Sequence, residues 1–530
     1  MGLAARALAA ALSLLAASTA PAAAQRSGGT LRVYIFDSPA SLSVHEDSTI
    51  VGVAPTMGLY NNLVMYDQSA GRAALDTVVP DLADSWAWSA DGTRLTFKLR
   101  DGARWHDGKP FSAQDVACTF DLLLGRGTDK LRLNPRKSWY SNVEGVSVDD
   151  ARTATLRLRR PQPALPALLA SGFSPVYPCH VPAAQMRQAP VGTGPFKLAE
   201  YRRNEGVRVV RNPDYWKPGR PYLDGIEWRV IRSQATAILA FAAKSVDITS
   251  PRLLGAPAIK DVLAQAPDAQ CPLLPSNVQR GVILNRAAPP FDNPDIRRAV
   301  ALAIDRKAFL DILTQGTGDI GGAVLGPPAG FWGLPREMLE TLPGYHPDVA
   351  RNRAEARALM AKAGYGPDRR LRLKVSARDV APYRDPAVVL IDQLKDIHID
   401  AELEAVDTSV WYTKIARKDY AIGIHLSGNG VDDPDQAYFE GFACGSDANY
   451  DGYCDPGMDK LFEAQSREAD PLARRRAVWE IERRLAEDVA RPVLFHNGAA
   501  TCWHPYVKGY VPMRNGIYNE YRMEDVWLDK

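Results

Sequence analysis

Strand-like and helix-like segments alternate along this chain without a fixed spacing, which limits the folds it can adopt. Residues 95–100 (LTFKLR) alternate apolar and polar side chains, as a half-buried strand does, and the pattern recurs at 154–158. Asp91-Gly92 precedes the first of these strands, so we expect a hairpin in which 85–89 pairs with 93–100. Because no period of about 20–50 residues is visible, the alternation predicts an α/β chain and not a repeat array.

Residues typical of helix ends predict the positions of several helices. Asn293-Pro294 and Asp470-Pro471 each combine a capping side chain with a proline at the first helical position. A helix is also predicted over 354–363, where Gly364 follows as a residue that tolerates the left-handed conformation. These signals place long helices in the second half of the chain.

Length and charge narrow the class of protein. The 530 residues exceed the roughly 250–300 at which single cores stop growing, so the chain is predicted to fold as two or three units. Its 64 basic and 62 acidic side chains are mixed along the sequence and leave a net charge of +2. This balance provides no basic patch for nucleic acid.

The N-terminus has the pattern of a secretory signal. A short start with one arginine, Met1 to Arg6, precedes an apolar run from Ala7 to Ala17, and small residues lie before Gln25. The pattern predicts a signal peptide over 1–24 that is cleaved on export. No cysteine follows the apolar run, and no later segment has about 18 uninterrupted apolar residues. We therefore expect a periplasmic protein that is not a lipoprotein.

The chain keeps an even number of cysteines after this cleavage. They are Cys118, Cys179, Cys271, Cys444, Cys454 and Cys502. In an oxidising compartment such a set is predicted to form disulfides, whereas the absence of CxxC and zinc-finger spacings makes metal binding the weaker alternative. Cys444 and Cys454 flank a short turn-rich segment and are the best candidate pair; fifteen connectivities stay open.

Enzyme signatures are missing from the sequence. It contains no GxxxxGK[ST] loop, no HExxH and no GxSxG, and no isolated pair of carboxylates suggests acid–base chemistry. The sequence therefore predicts a protein that is not an enzyme, with no catalytic residue, no metal site and no cofactor.

One set of segments extends over nearly the whole mature chain in a constant order. It comprises 79–86 (VPDLADSW), 91–93, 95–111 with 115–116, 191–197 (VGTGPFK), 211–216 (RNPDYW), 223–224, 290–292 (PFD), 297–299, 303–306, 433–435 (DPD), 449–450, Asp459 and the helix around Trp479. In this order and spacing the segments resemble those of the family 5 bacterial extracellular solute-binding proteins, which include the dipeptide, oligopeptide and nickel binders of ABC importers.

The resemblance implies an α/β fold with two lobes. This is the periplasmic binding protein fold of type II, in the cluster with an extra subdomain, and a ligand cleft lies between its hinge-connected lobes. The first lobe would contain 26–270 and 503–530, with the extra subdomain at 61–180, and the second would contain 271–502. This division implies two further disulfides, Cys118 with Cys179 and Cys271 with Cys502 at the hinge.

The resemblance also implies a function. A binding protein of this family captures a small solute and delivers it to an inner-membrane permease and its ATPase subunits, without chemistry on the ligand. A peptide or peptide-like ligand is the leading class, and a monomer is expected. The alternatives are a non-peptide solute such as a sugar, an opine or another metabolite, a periplasmic chaperone or sensor, and, less favoured, a secreted hydrolase.

The segment that anchors peptides in such relatives differs here. The family's peptide binders carry Trp-x-x-Asp-x-x-Asp-Pro, whose first aspartate holds the ligand's amino group. The aligned run begins at Ser427 and has Gly430 in place of that aspartate. A buried ammonium without a counter-charge is unfavourable by several kcal/mol, so this difference argues against a free-amine peptide unless Asp432 takes the role.

The candidate ligand contacts follow from this alignment and from the first strand. They are Tyr34, Phe36, Trp411, Tyr412, Asn429, Gly430 and Asp432. For Trp411 and Tyr412 the alternative is a place in the core of the second lobe, because large aromatic side chains are usually buried.

Overall fold

The computed structural model describes residues 25–320, 324–326, 331–514 and 516–530. The predicted signal peptide, 1–24, lies outside the described residues. Strands and helices alternate along these ranges, as the sequence predicts. No helix in the described part of the chain is long and apolar enough to cross a membrane.

The bounds of the elements are as follows. Strands β1 to β17 are Thr30–Ile35, Val64–Tyr66, Val78–Pro80, Ala83–Trp88, Arg94–Leu99, Val143–Asp150, Thr153–Leu158, Phe196–Arg202, Gly206–Arg211, Gly225–Val230, Leu274–Leu284, Leu371–Arg378, Ile399–Val406, Ile422–Gly428, Val493–Ala499, Val507–Lys508 and Trp527–Leu528. Helices α1 to α15 are Ile50–Thr56, Ala113–Leu123, Leu165–Ala170, Ala183–Met186, Gln234–Ala242, Ala256–Gln265, Pro294–Ala303, Arg306–Thr314, Arg336–Leu339, Val349–Lys362, Ala381–Leu394, Thr408–Ala416, Pro434–Gly441, Pro456–Arg467 and Pro471–Glu487.

Local signals in the sequence set several of these bounds. The predicted hairpin is formed by β4 and β5, which pair antiparallel. The side chains of Asn293 and Asp470 accept hydrogen bonds from the backbone amides of Asp295 and Leu472, so both caps act as predicted. After α10, Gly364 has φ +85°, the left-handed conformation expected of a residue that ends a helix.

The first lobe contains two four-stranded sheets. One has the order β1-β10-β9-β8, with β1 parallel to β10 and the other pairs antiparallel. The other has the order β4-β5-β7-β6 and is antiparallel throughout. This second sheet lies within residues 61–180, the range that the sequence predicts for an extra subdomain.

The second lobe is built on one five-stranded sheet with the order β13-β12-β14-β11-β15. Strand β12 is parallel to both β13 and β14, whereas β11 runs antiparallel to its two neighbours. Helices α7, α8 and α10 to α12 supply much of the apolar core that packs against this sheet.

The chain crosses between the lobes twice, and the two crossings lie side by side. They are β11 and β15, which pair antiparallel from Leu274 and Ala499 onwards. Beyond their ends, Cys271 and Cys502 form a disulfide with Cα atoms 4.3 Å apart. The lobe boundaries that the sequence predicts fall beside this disulfide, and they stay a prediction.

The other cysteines also pair as expected. Cys444 is joined to Cys454, and Cys118 to Cys179, so all six cysteines are in disulfides. The pairing of Cys118 with Cys179 ties helix α2 to the loop before α4. The three predicted pairs are confirmed.

Candidate functional site

Three neighbouring cavities between the lobes form one continuous cleft. The inner cavity has a volume of about 60 Å³, the middle cavity about 90 Å³ and the outer cavity about 410 Å³. Ser48 and Tyr412 line both the inner and the middle cavity. Phe36 and Arg280 line both the middle and the outer cavity. A ligand in this cleft would contact both lobes.

A larger cavity, of about 690 Å³, lies elsewhere. It is bounded by residues between Ile304 and Val349, all in the second lobe. Because its walls come from one lobe only, a molecule bound there could not favour lobe closure. The interlobe cleft is therefore the candidate site.

The ends of strands deliver side chains to this cleft. Phe36 and Asp37 follow β1, Arg378 is the last residue of β12, and Asn429 follows β14. In each case the functional residue lies at the carboxyl end of a strand that has a parallel neighbour. Ligand sites in α/β sheets occur at such ends.

Hydrogen-bond acceptors line the inner cavity. Glu440, near the end of α13, accepts a hydrogen bond from the Trp139 indole of the first lobe at 2.8 Å and one from Gln436 at 3.3 Å. The side-chain oxygen of Gln279 is buried there without a hydrogen-bond partner among the described residues. The inner cavity is therefore suited to a ligand group that donates hydrogen bonds.

Two charged side chains of the inner cavity, Arg491 and Glu440, differ in how their charges are balanced. Arg491 donates to Asp451 at 2.7 Å and to the Ser427 hydroxyl at 3.1 Å, so its charge is paired within the second lobe. Burial raises the pKa of the Glu440 carboxyl, although the charge of Arg136 and the Trp139 hydrogen bond oppose this shift. An ammonium group of a ligand would favour the ionised form of Glu440.

Aromatic side chains surround the middle cavity. Phe36 and Tyr518 come from the first lobe, and Tyr383 and Tyr412 from the second. The hydroxyl oxygens of Tyr383 and Tyr412 lie 3.2 Å apart, within hydrogen-bonding distance. This wall is suited to the apolar body of a small ligand.

Arginines give the middle cavity its charge. Arg252, Arg280 and Arg378 line it, and none of the described lining residues is Asp or Glu. Arg280 packs against the ring of Phe495, with its guanidinium carbon 5.0 Å from the ring centroid. Arginine is thus the charged side chain that the described wall of the middle cavity presents.

Polar contacts join the lobes directly around the cleft. Arg378 and the Thr408 hydroxyl, both in the second lobe, donate to the Asp37 carboxylate at 2.6 Å each. Burial alone would raise the pKa of Asp37, but the Thr408 hydrogen bond and the Arg378 charge lower it below its usual value. Gln162 of the first lobe also donates to Asp435 of the second lobe at 2.9 Å. The two lobes are thus joined by buried hydrogen bonds and an ion pair.

Four of the predicted ligand contacts lie in the walls of the cleft. Tyr34 lines the outer cavity, and Phe36 lines the outer and middle cavities. Tyr412 lines the middle and inner cavities, and Asn429 lines the inner cavity. The structure therefore brings these four residues to one continuous cleft, although they come from three separate parts of the chain.

The other three predicted contacts lie apart from the cavity walls. Trp411 is fully buried in the core of the second lobe, the alternative that the sequence left open. The carbonyl oxygen of Gly430 accepts a hydrogen bond from the Asn519 side chain of the first lobe. The backbone carbonyl of Asp432 accepts from the Trp332 indole at 3.2 Å. Both loop residues thus contribute backbone groups to packing around the cleft.

Sequence reasoning missed several residues of the cleft. Glu440 and Gln436 are four residues apart on α13, so they lie on one helix face, next to the apolar residues 437–439. That pair of polar residues was a usable signal. Arg280 and Gln279 lie on β11, and no pattern around them separates them from ordinary surface residues of a strand.

Within the described ranges, no group of three or more His, Cys, Asp or Glu side chains is arranged to hold a metal ion. The histidine that lines the inner cavity, His425, is fully enclosed, and burial keeps its pKa well below the usual value.

The chain matches a family of known proteins over most of its length. The family model of "Bacterial extracellular solute-binding proteins, family 5 Middle" matches residues 77–449. This range contains most of the segment predicted as an extra subdomain, four of the five strands of the second lobe's sheet, and helix α13 with Glu440.

Individual relatives agree with this match. Di/tripeptide-binding protein 1 of Pseudomonas aeruginosa UCBPP-PA14 is 26% identical over 489 residues, which cover 87% of this chain and 86% of that protein. Two solved structures share the fold: the Helicobacter pylori binding protein DppA in complex with peptide STSA, at TM-score 0.82 and 21% identity, and the A. tumefaciens R10 binding protein AgaA in complex with agropinic acid, at TM-score 0.81 and 23% identity. Each comparison covers 95% of this chain and 99% of the other.

Proposed function

Because the chain belongs to family 5 of the bacterial extracellular solute-binding proteins, we propose that it is the periplasmic binding component of an ABC importer and captures a small, peptide-like solute. The observation that carries this proposal is the continuous cleft, whose walls come from both lobes. A ligand that contacts both walls stabilises the closed state by its extra contacts there. No chemical step on the ligand is part of this function.

The division of the chain follows the crossings between the lobes. The first lobe comprises 26–270 and 503–530, with an extra subdomain at 61–180, and the second comprises 271–502. The paired strands β11 and β15 support this division, since they form the connection about which the lobes would open.

The amino group of the ligand belongs in the inner cavity under this proposal. Gly430 has no carboxylate to offer, whereas Glu440 supplies one to the same cavity as Asn429. The unpaired oxygen of Gln279 adds a second acceptor. Glu440 then takes over the amine-anchoring role that the sequence suggested for Asp432, and Phe36, Tyr412 and Asn429 contact the rest of the ligand.

Export and delivery complete the proposal. The apolar N-terminal run and the small residues before Gln25 support a signal peptide that is cleaved there, which leaves a periplasmic protein without a lipid anchor. Its partners are an inner-membrane permease and the ATPase subunits that power it, and the closed form of a monomer is the shape that the permease recognises.

Thermal stability with a pool of dipeptides tests the binding part of this function. A ligand that binds only the folded protein raises its Tm, by an amount that grows with the logarithm of concentration. We expect the dipeptide pool to raise Tm, and a strain without the gene to lose uptake of the dipeptides that bind. Binding without any change in uptake would contradict the importer role.

A non-peptide solute is the second candidate. Two observations favour it: Gly430 stands where the family's peptide binders have their anchoring aspartate, and the structurally similar AgaA was solved with agropinic acid. A pool of non-peptide organic acids that raises Tm, beside a dipeptide pool that does not, would support this candidate. In that case the importer role would stand and the ligand class would change.

A further inference from the structure

Two buried aspartates at the start of helix α13 share one arginine. Arg474 of α15 donates to both carboxylate oxygens of Asp433 at 2.7 Å each, and to the Asp435 carboxylate at 3.1 Å. The side chains of all three residues are almost fully buried. Because one guanidinium faces two carboxylates, the charge of Asp435 depends on further hydrogen-bond donors for its stabilisation.

The other donors to Asp435 come from both lobes. Gln465 and Ser466, at the end of α14, donate to its carboxylate at 2.6 and 2.7 Å. The amide of Gln162 donates to it at 2.9 Å from the segment 61–180, which the sequence predicts as an extra subdomain. Gln162 is itself buried, and the amide of Asn142 donates to its oxygen at 3.1 Å. A held donor of the first lobe thus reaches a buried carboxylate of the second.

The same segment of the first lobe makes further contacts with α13. The guanidinium carbon of Arg160 lies 5.8 Å from the ring centroid of Phe439, and the negative charge of Asp435 acts on this arginine. The Trp139 indole donates to Glu440 at 2.8 Å. Donors and a cation of the predicted subdomain therefore face the acidic residues of α13, an arrangement that favours their association.

We propose that Gln162 is a latch: its hydrogen bond to Asp435 forms when the lobes close, so that the extra subdomain stabilises the ligand-bound form without touching the ligand. The proposal rests on the binding function and the lobe division proposed above. The described walls of the inner, middle and outer cavities contain neither Gln162 nor Asp435. Gln162 therefore acts on the ligand only through closure.

The location of the latch determines which step of binding it affects. Opening of the lobes separates Gln162 from Asp435, and a hydrogen bond to a carboxylate is stronger than one between neutral groups. This bond must break before the ligand can leave, whereas it is not yet formed when the ligand enters. The latch therefore slows dissociation more than it changes association, and it does so for every ligand that the cleft encloses.

Four variants of the full mature protein test the proposal. Gln162→Leu removes the donor, and Gln162→Glu places a second carboxylate beside Asp435. Arg160→Gln removes the cation that faces the same end of α13. Gln114→Leu is the matched control, because Gln114 is an exposed glutamine on α2 in the same predicted subdomain.

The probes are a pool of dipeptides and a pool of non-peptide organic acids. Fluorescence titration gives the apparent affinity, and stopped-flow dilution gives the dissociation rate. For whichever pool binds the wild type, we expect affinity to fall about tenfold in Gln162→Leu, about thirtyfold in Gln162→Glu and about threefold in Arg160→Gln. Faster dissociation should account for most of each loss, while Tm without ligand stays that of the wild type. Gln114→Leu should match the wild type throughout.

Other results would overturn the latch. If Gln162→Leu keeps the wild-type affinity and dissociation rate, the latch is wrong and the binding function stands. A lower Tm without ligand, with no faster dissociation, would mean that Gln162 only stabilises the fold. If Gln162→Leu does not fold, unchanged dissociation in both Gln162→Glu and Arg160→Gln would overturn the proposal. A wild type that binds neither pool would contradict the binding function and the latch together.

Discussion

The inner and middle cavities are in contact with each other, yet they offer a ligand opposite chemistry. The inner cavity presents acceptors, Glu440 and Gln279, beside an arginine that Asp451 already neutralises. The middle cavity presents guanidinium groups among aromatic rings. This difference implies that the inner cavity favours a ligand group that donates hydrogen bonds, whereas the aromatic rings of the middle cavity favour the apolar part of the ligand.

The two cavities also differ in what their charged groups do for the protein itself. Arg378 in the middle cavity joins the lobes through Asp37, whereas Arg280 lies on a strand that both lobes share as their connection. An arginine that holds the lobes together should affect every ligand equally.

The largest effect is expected for Arg378→Gln. It leaves Asp37 buried without its cation in the closed state, and breaking a buried ion pair in this way costs about 3–5 kcal/mol. Calorimetry should show that affinity falls roughly a hundredfold or more, for carboxylates and amides alike. A loss confined to carboxylates would mean that Arg378 itself receives the ligand. Replacing Arg72, which pairs with Asp76 on the surface, is the matched control.

Gly428→Ala tests how closely the lobes approach at the inner cavity. A Cβ at this position would lie 2.2 Å from the Tyr518 hydroxyl of the opposite lobe, too close for any two unbonded heavy atoms. The clash occurs only on closure, so we expect binding to weaken about tenfold and Tm without ligand to stay unchanged. Tight binding by the variant would show that the closed form tolerates a wider gap.

Glu440→Gln tests the acceptor side of the comparison. The amide keeps an oxygen for the Trp139 indole but loses the charge, so free-amine dipeptides should bind about tenfold more weakly, while N-acetylated dipeptides bind as before. Glu463→Gln, at an exposed pair with Arg467, should change neither. Equal losses for free and acetylated dipeptides would contradict an amine-anchoring role.

Glu440→Gln should also change how stability and ligand affinity depend on pH. Burial raises the pKa of Glu440, so its ionised form destabilises the folded protein above that pKa, and the variant is expected to have a higher Tm without ligand at neutral pH. In the wild type, affinity for free-amine dipeptides should fall as the pH drops through the raised pKa. The variant should lack this dependence, as fluorescence titrations from pH 7.5 downwards would show.

Prediction from sequence succeeded where the signal was local. The caps at Asn293 and Asp470, the hairpin of β4 and β5, and the pair Cys444–Cys454 each depend on residues close in the chain. The other two disulfides and the two-lobed fold could be predicted because the family segments lie in a constant order along the chain.

The candidate site was harder to predict, because its groups come together only through the lobe arrangement. Phe36, Tyr412 and Asn429 could be proposed from strand ends and alignment. Arg280 and Glu440 could not be placed in the cleft, since their positions relative to the cavities depend on how β11 and α13 pack. Trp411 lies in the core of the second lobe and not in a cavity wall, although its neighbour Tyr412 lines the cleft. It illustrates that a large aromatic side chain near a site more often belongs to the core.

Native mass spectrometry of protein purified from the periplasm is the most direct test of the central claim, a cleft that closes on a small ligand. The wild type is predicted to carry a compound of the size of a di- or tripeptide, which denaturation releases for identification. Arg378→Gln, which loses the interlobe ion pair with Asp37, is predicted to be largely empty when prepared alongside it. A wild-type protein that carries no such compound, and whose Tm no dipeptide or organic acid raises, would contradict the claim.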